Sequence, residues 1–97
     1  NREGLYQKDI FDEKDGARHF TFHYSLMEKG GHGQLHSHPH SEHVLMVAEG
    51  SLVVRNDKES HALSPGMAIL IMPTEEHEII NSFDGRTVYY VIYAPPR

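Results

Sequence analysis

Short apolar segments separated by glycine and proline turns run from residue 18 to the end of the chain. In residues 18–27 apolar and polar side chains alternate, which predicts a half-buried strand. Turns are expected at residues 30–33, 56–57, 65–66 and 84–85, and no segment between them has the 3.6-residue period of an amphipathic helix. The sequence therefore predicts an all-β fold, a single antiparallel sandwich or barrel.

The composition limits the chain to one domain and excludes several classes of partner. At 97 residues the chain can bury one hydrophobic core. Its formal net charge of −5, with no run of Lys or Arg, is unsuited to nucleic acid or to an anionic membrane surface. No apolar run approaches the roughly 20 residues that span a bilayer, and no signal peptide is evident, so we expect a cytoplasmic protein.

Residues 1–16 and 17–97 are expected to have different roles. The first segment is polar with isolated apolar side chains, which is typical of an arm that packs on the barrel or on a partner subunit. Because the chain begins at Asn1, we expect a short piece to precede it.

In the barrel domain, residues 44–48 and 68–72 are apolar at every position, so both faces of those strands should be covered. The cover could be the arm or a second subunit, and we expect a homodimer.

Histidines carry the strongest functional signal. His36 and His38 lie two apart in a stretch where Pro39 argues against a helix, so on an extended segment they point the same way and form a chelating pair. A distant third imidazole, His77, could join them inside a barrel. Because cysteine is absent, any metal must be bound through His, Asp or Glu. The cluster predicts a divalent transition metal, with no choice among iron, manganese, nickel, copper and zinc.

Two stretches of the chain resemble the signatures of the cupin superfamily. The first consists of Gly30, five residues, His36-Ser37-His38, four residues, His43, six residues and Gly50. The second consists of Gly66, five residues, Met72-Pro73-Thr74, two residues, His77, three residues and Asn81. The resemblance implies a small jelly-roll β-barrel (a double-stranded β-helix) in a single-domain protein. It also implies a metal held by the two histidines and the acidic residue of the first signature and by the histidine of the second.

The chain departs from the family pattern at the acidic position. Six residues before the closing glycine, the family usually has glutamate; this chain has His43, with Glu42 beside it. Adjacent strand residues face opposite ways, so both cannot point into the barrel unless a bulge intervenes. Counting back from Gly50 favours His43, with Glu42 as the alternative. The predicted metal ligands are therefore His36, His38, His43 and His77. Four neutral imidazoles would leave the charge of the ion uncompensated, which favours an anionic ligand.

The second departure is in the turn before His77. The family usually reads Pro-x-Gly there, whereas Met72 and Thr74 occupy the outer positions in this chain. A different shape is therefore expected for this turn.

Three further residues are candidates for contact with a substrate or a metal ligand. Gln34, two before His36, is expected on the same inner face. His40 extends the alternation of histidines but follows Pro39, which favours a place at the rim. Asn81 could orient a ligand or close a turn. The remaining histidines are expected in surface or packing roles: His19, His23, His32 and His61.

The resemblance carries the functional hypotheses. The leading one is a metal-binding protein that binds a small, oxygen-bearing, anionic molecule. If the chain is an enzyme, a dioxygenase is the first class to test and an isomerase or lyase the second. The alternatives are a non-catalytic ligand-sensing module and a metal-storing barrel. Because a histidine ligand must be neutral, we expect metal affinity to fall below pH of about 6.5 in any of these cases.

Overall fold

A computed structural model of the protein describes residues 5–16, 19–36 and 41–94, and at residues 13 and 34–36 it describes the backbone. The regular elements of these residues are nine strands and one 3-10 turn, Glu13–Asp15. In chain order the strands are β1 (Leu5–Phe11), β2 (Thr21–Met27), β3 (His32–His36), β4 (Glu42–Glu49), β5 (Leu52–Arg55), β6 (Ser60–Leu63), β7 (Ala68–Ile71), β8 (Glu76–Ile80) and β9 (Thr87–Ala94). No helix in the described ranges has the length and hydropathy needed to cross a membrane. The all-β prediction is confirmed.

The strands form two antiparallel sheets. One sheet has the order β1-β2-β9-β4-β7 and the other the order β3-β8-β5-β6. Successive strands such as β3 and β4, or β4 and β5, lie in different sheets, so the chain crosses repeatedly from one layer to the other. Within the part of the chain described, no strand pair joins the two sheets into a closed cylinder. The architecture is the predicted jelly roll, built as a two-layer sandwich.

Buried side chains of both sheets form one apolar core. The five-stranded sheet supplies Met27, Leu45, Val47, Ile71, Tyr89, Val91 and Tyr93, and the four-stranded sheet supplies Leu52, Val54, Leu63 and Ile79. Most of these residues stand at every second position of their strands, as expected for side chains on one face of a pleated sheet. Burying each such aliphatic side chain contributes about 1.5–3 kcal/mol, so this core is the main source of stability.

Strand β2 reverses the expected relation between polarity and burial. Its buried polar side chains are Thr21, His23 and Ser25. The aromatic side chains of the other face stack on one another outside the core: the Phe22 ring lies 5.5 Å from that of Tyr90 and 6.4 Å from that of Phe11. The alternation was predicted, but the polar face is the one turned inward. Alternation defines two faces and does not say which one meets the second sheet.

Residues 44–48 and 68–72 are not covered on both faces within one chain. Val44 and Met46 are 37% and 42% exposed, and the side chains between them are buried. Leu70 is 55% exposed. Strand β1 does not lie over them, because it pairs with β2 at the far edge of the sheet. Cover by the rest of residues 1–16 or by a second subunit stays a prediction.

A polar cluster at one end of the sandwich holds the ends of several strands together. The Asn81 amide nitrogen lies 2.8–3.0 Å from three backbone carbonyl oxygens, those of Met27, Glu28 and Gly85. The Asn81 Oδ1 atom accepts hydrogen bonds from the Phe83 N–H and the Thr87 hydroxyl. Thr87 Oγ1 in turn accepts the N–H of Ser51 at 3.1 Å, next to Gly50. We call these residues the Asn81 clamp.

Candidate functional site

Polar side chains replace the apolar core at the other end of the sandwich. His43 of β4 pairs directly with Tyr93 of β9, and Thr21 of β2 pairs with Tyr93 from the opposite side. His23 follows two residues later on the inner face of β2. These side chains are buried, with exposed fractions of 0% for His43, 1% for His23 and 4% for Tyr93. The five-stranded sheet therefore presents two imidazoles and a phenol in one buried patch.

The four-stranded sheet brings His77 to the same end. The backbone of His36, the last residue of β3, pairs with Glu76, next to His77 at the start of β8. Residues 37–41 then lead to Glu42, the first residue of β4. Because this connection is short, the end of β3 lies near the start of β4, where His43 is. The topology therefore gathers the chain positions of His36, His43 and His77 at one end of the sandwich.

Several predicted site residues lie beyond what the structure describes. His38 and His40 are outside the described residues. Of Gln34 and His36 the backbone is described, so their predicted contacts stay predictions. Within residues 5–16, 19–36 and 41–94, no three His, Asp or Glu side chains form a group that could hold a metal ion.

Strand β4 places His43 and Glu42 on opposite faces. His43 is fully buried, whereas Glu42 is exposed. The irregularity in the pairing of β4 with β9 falls between Val47 and Glu49, so no bulge separates the two residues. The His43 ring stands edge-on to Tyr93, with ring centroids 4.0 Å apart and planes at 83°. The inner position therefore belongs to the histidine, as counting back from the closing glycine indicated.

His77 is a buried histidine in which one ring nitrogen makes no hydrogen bond among the described residues. It is 6% exposed, and its Nδ1 atom is buried with no hydrogen-bond partner among the described residues. Its Nε2 atom lies 3.5 Å from Nδ2 of Asn56, at the limit of a hydrogen bond. A neutral imidazole has only one unprotonated nitrogen, so His77 can bind a cation through Nδ1 only when Nε2 carries the proton and does not accept from Asn56. His43 and His77, two imidazoles on facing sheets, fit the nitrogen-rich sites that transition metals prefer.

Asn56 is held in one orientation beside His77. Its Oδ1 atom accepts the N–H groups of Lys58 and Glu59, at 2.8 Å and 2.7 Å. Because both donors are backbone amides, Oδ1 must face the turn and Nδ2 must face His77. Asn56 was not among the residues expected at the site, because the pattern around it predicts only a turn at residues 56–57.

A cavity of about 700 Å³ adjoins His77 and is lined by residues 55–58 and 74–78. Four of the lining side chains are acidic: Asp57, Glu75, Glu76 and Glu78. Two are cationic, Arg55 and Lys58, and the Arg55 guanidinium is already paired with Glu78 at 2.9 Å. The cavity has room for a small molecule. Its excess of carboxylates opposes the approach of an anion, which runs against the expectation of an anionic ligand.

The turn before His77 keeps a shape that favours glycine. Thr74 has a φ of 70°, and the N–H of Glu75 donates to the Met72 carbonyl at 3.2 Å. With Pro73 before it, Thr74 stands at the turn position where a positive φ is required and glycine is preferred. The expectation that this turn differs in shape from that of the family stays a prediction. The substitution is accommodated by placing threonine in a strained backbone conformation.

Asn81 and His23 lie in places that the sequence did not specify. Asn81 belongs to the clamp, about 13 Å along β8 from His77 at the strand rise per residue, and its hydrogen bonds are those of a residue that closes a turn. His23 was expected in a surface or packing role. It is buried, which agrees with a packing role, and its Nδ1 lies 2.8 Å from Oδ1 of Asp9. The polar parity shared by Thr21, His23 and Ser25 indicated a polar face, and it did not indicate that this face is turned inward.

Comparisons with known proteins agree with this geometry. The cupin domain profile matches residues 23–93. TT1209 from Thermus thermophilus is 24% identical, with a TM-score of 0.85, over 98% of this chain and 87% of that one. The Cupin_2 domain of an XRE family transcriptional regulator from Enterobacter cloacae is 19% identical, with a TM-score of 0.83, over 98% of this chain and 100% of that one.

The polyketide cyclase RemF from Streptomyces resistomycificus is 23% identical, with a TM-score of 0.83, over 96% of this chain and 66% of that one. This chain thus spans about two thirds of the cyclase. At these identities the likeness shows the fold. A comparison with curated proteins gave no match.

Proposed function

The chain belongs to the cupin domain family, and from this premise we propose that it binds a divalent transition-metal ion through His36, His38, His43 and His77. The observation that carries the proposal is the burial of His43 and His77 on facing sheets, at the end where residues 37–41 connect the layers. In the sequence His36 directly precedes that connection, and His38 is part of it. Glu42 is the less favoured ligand because its side chain is exposed.

The bound ion would supply Lewis acidity, or oxygen chemistry if it is redox-active. The residues of the chain supply the surroundings. Val91 and Ile79, two residues from Tyr93 and His77 on their strands, close the apolar core behind the patch and keep bulk water from that side. Asn56 holds an N–H donor toward His77, and the 700 Å³ cavity gives a small molecule access from solvent.

The proposed ligand is a small, oxygen-bearing molecule. Neutral imidazoles would leave the charge of the ion free to attract an anionic oxygen. The four carboxylates around the cavity would repel a ligand that is anionic throughout. We infer a ligand with its anionic or polar oxygen at the metal end and an uncharged or cationic part at the rim.

The class of reaction follows from the metal. We propose a dioxygenase as the first class to test, with an isomerase or lyase as the alternative that needs Lewis acidity alone. A ligand-sensing module without turnover is the second candidate function. The likeness to the domain of a transcriptional regulator, which this chain matches over the whole length of that domain, favours it. Oxygen uptake with iron or manganese present separates the first candidate from the other two.

Metal content tests the proposal. Protein purified without a histidine tag or nickel resin should contain close to one equivalent of metal by mass spectrometry of the elements. The double variant His36→Ala with His38→Ala should lose it, and so should His43→Ala. Glu42→Ala is the matched control, because it changes the neighbouring residue on the exposed face. If His43→Ala retains the metal and Glu42→Ala loses it, Glu42 and not His43 is the ligand.

We also propose that the chain forms a homodimer through the outer face of the five-stranded sheet. Direct cross-strand pairs line up Phe22, Ile92, Val44 and Leu70 across β2, β9, β4 and β7. The last three are 36%, 37% and 55% exposed, so one chain leaves this outer row largely uncovered. An apolar row across four strands is typical of the core of a subunit interface, where charged residues are depleted.

The mass in solution tests the dimer. Sedimentation of the wild type should give twice the chain mass of 11.1 kDa, and Val44→Lys should give the monomer. Phe83→Ser is the control, because Phe83 is 45% exposed but lies outside the outer row. A monomeric wild type at micromolar concentration would contradict the proposal.

A further inference from the structure

Asp9 and His23 form a half-buried carboxylate–imidazole pair beside the candidate site. Their strands are in register, with Asp9 of β1 directly opposite His23 of β2, so both side chains lie on the inner face of the sheet. Asp9 Oδ1 is 2.8 Å from His23 Nδ1. The His23 side chain is 2% exposed, while that of Asp9 is 49% exposed at the sheet edge. The pair thus joins the edge of the sheet to its interior.

The pair fixes the tautomer and the orientation of His23. An ionised carboxylate can only accept hydrogen bonds, so Nδ1 of His23 must carry the proton that it donates to Asp9. This is the arrangement in which carboxylates orient metal-binding histidines from the outer coordination sphere. The pairing of β1 with β2 becomes irregular directly after Asp9, between Asp9 and Phe11. Such irregularities commonly re-aim side chains near functional sites.

Tyr93 connects His23 to His43. The His23 and Tyr93 ring centroids are 4.8 Å apart with planes at 74°, and the Tyr93 and His43 centroids are 4.0 Å apart with planes at 83°. Both imidazole planes therefore stand nearly perpendicular to the same phenol ring, and the His23–Tyr93 separation lies in the range that aromatic pairs favour. Because protein interiors are close-packed, a change in the orientation of His23 must be taken up by Tyr93.

We propose that the Asp9–His23 pair positions the His43 imidazole through Tyr93, so that the N-terminal strand forms part of the candidate metal site. Asp9 precedes residues 23–93, the part of the chain that the cupin domain profile matches, so one partner of the contact lies outside that match. The role in metal binding rests on the proposed function. The positioning itself needs no metal and can be measured without it.

Nuclear magnetic resonance of the metal-free protein tests the positioning. Asp9→Ala removes the acceptor, and Asp9→Asn keeps an oxygen that can accept from Nδ1. The imidazole ¹⁵N and ¹³C resonances of both His23 and His43 should move in Asp9→Ala, and those of His43 should move less in Asp9→Asn. Asp84→Ala is the matched control, because it removes a carboxylate whose ion pair with Lys29 is exposed and remote from the site. If the His23 resonances move and the His43 resonances do not, the proposal is overturned. If Asp9→Ala does not fold, the comparison of His23 with His43 resonances in Asp9→Asn decides the proposal.

Metal affinity provides the second readout. Zinc binding measured by competition with a chromophoric chelator should weaken by about 10-fold in Asp9→Ala, the lower end of the effect of lost outer-sphere contacts, and by less in Asp9→Asn. Asp84→Ala should match the wild type within about twofold, well below that outer-sphere range. Equal affinities in all four proteins would overturn the role of Asp9 in metal binding. A wild type that binds no zinc would instead contradict the proposed function, and the resonance test of the metal-free protein would still decide the positioning.

Discussion

Replacing Gly50 by alanine should destabilise the protein far more than the same change at Gly66. Both glycines have positive φ, 82° at Gly50 and 88° at Gly66. A Cβ atom at Gly50 would overlap the Thr87 hydroxyl and would stand 2.9 Å from the Arg86 carbonyl oxygen and 3.0 Å from Thr87 Cα. A Cβ atom at Gly66 would meet nothing within 4 Å. The pair of variants therefore separates the cost of the backbone conformation from the cost of the close approach.

The structure gives the size of each cost. A left-handed conformation costs an L-residue about 1–2 kcal/mol, and this applies to both variants. At Gly50 two of the close contacts are backbone atoms, which cannot rotate away. Shifting Thr87 would also disturb its hydrogen bonds with Ser51 and Asn81, at about 1 kcal/mol each. We expect a loss of about 3–5 kcal/mol for Gly50→Ala and about 1–2 kcal/mol for Gly66→Ala.

Urea unfolding followed by tyrosine fluorescence and far-ultraviolet circular dichroism measures both losses. The experiment should be run with a chelator present, so that metal binding does not contribute to the free energy of unfolding. Alanine restricts the unfolded chain equally at both positions, so that effect cancels in the difference. Equal losses for the two variants would refute the argument from close approach at Gly50.

Four further predictions follow from the fold and the site. Thr74→Gly should raise the free energy of unfolding by about 1 kcal/mol, because it relieves a left-handed threonine. A thermal melt in which the melting temperature is lower than that of the wild type or unchanged would contradict this. Asn81→Ala should lower the free energy of unfolding by about 2–4 kcal/mol, because the buried carbonyl groups of the clamp lose their donor. A free energy from urea unfolding within about 0.5 kcal/mol of the wild type, which is typical of a surface substitution, would contradict this. The exposed pair of Arg55 and Glu78 should contribute less than about 1 kcal/mol in a double-mutant cycle, and a larger coupling would mean that the pair is desolvated. Metal affinity measured by equilibrium dialysis should fall as the pH drops below about 6.5, because neutral imidazole binds metal and the protonated form does not; undiminished retention near pH of about 4.5 would count against histidine ligands.

The strands, the turns and the family of this chain could be predicted because local pattern determines them. Glycine and proline mark the turns at Gly30, Gly66 and Pro73, and the two signatures depend on spacing alone. The place of His43 inside the sandwich also followed from spacing, because strand alternation separates it from Glu42 once the closing glycine is fixed. These inferences needed no knowledge of which strands pair.

The rest of the candidate site depends on pairing between distant strands. The contact of Asp9 with His23 exists because β1 adds to the edge of β2 in one register, and a shift by one residue would turn Asp9 to the outer face. Asn56 reaches His77 because β5 lies beside β8. The inward orientation of the polar face of β2 depends on where the second sheet packs. A local sequence pattern specifies neither sheet order nor register, so the contacts of Asp9, His23 and Asn56 could not have been predicted from the sequence.

The Asn81 clamp and the buried imidazoles occupy opposite ends of the same strands. Strand β8 begins with His77 and is followed by Asn81, with the apolar Ile79 between them. The hydrogen bonds that hold the strand ends together and the proposed metal ligands thus lie in separate regions of one fold, and substitutions in one region need not disturb the other. Such a separation would allow the residues of the proposed site to vary during evolution while the clamp preserves the architecture.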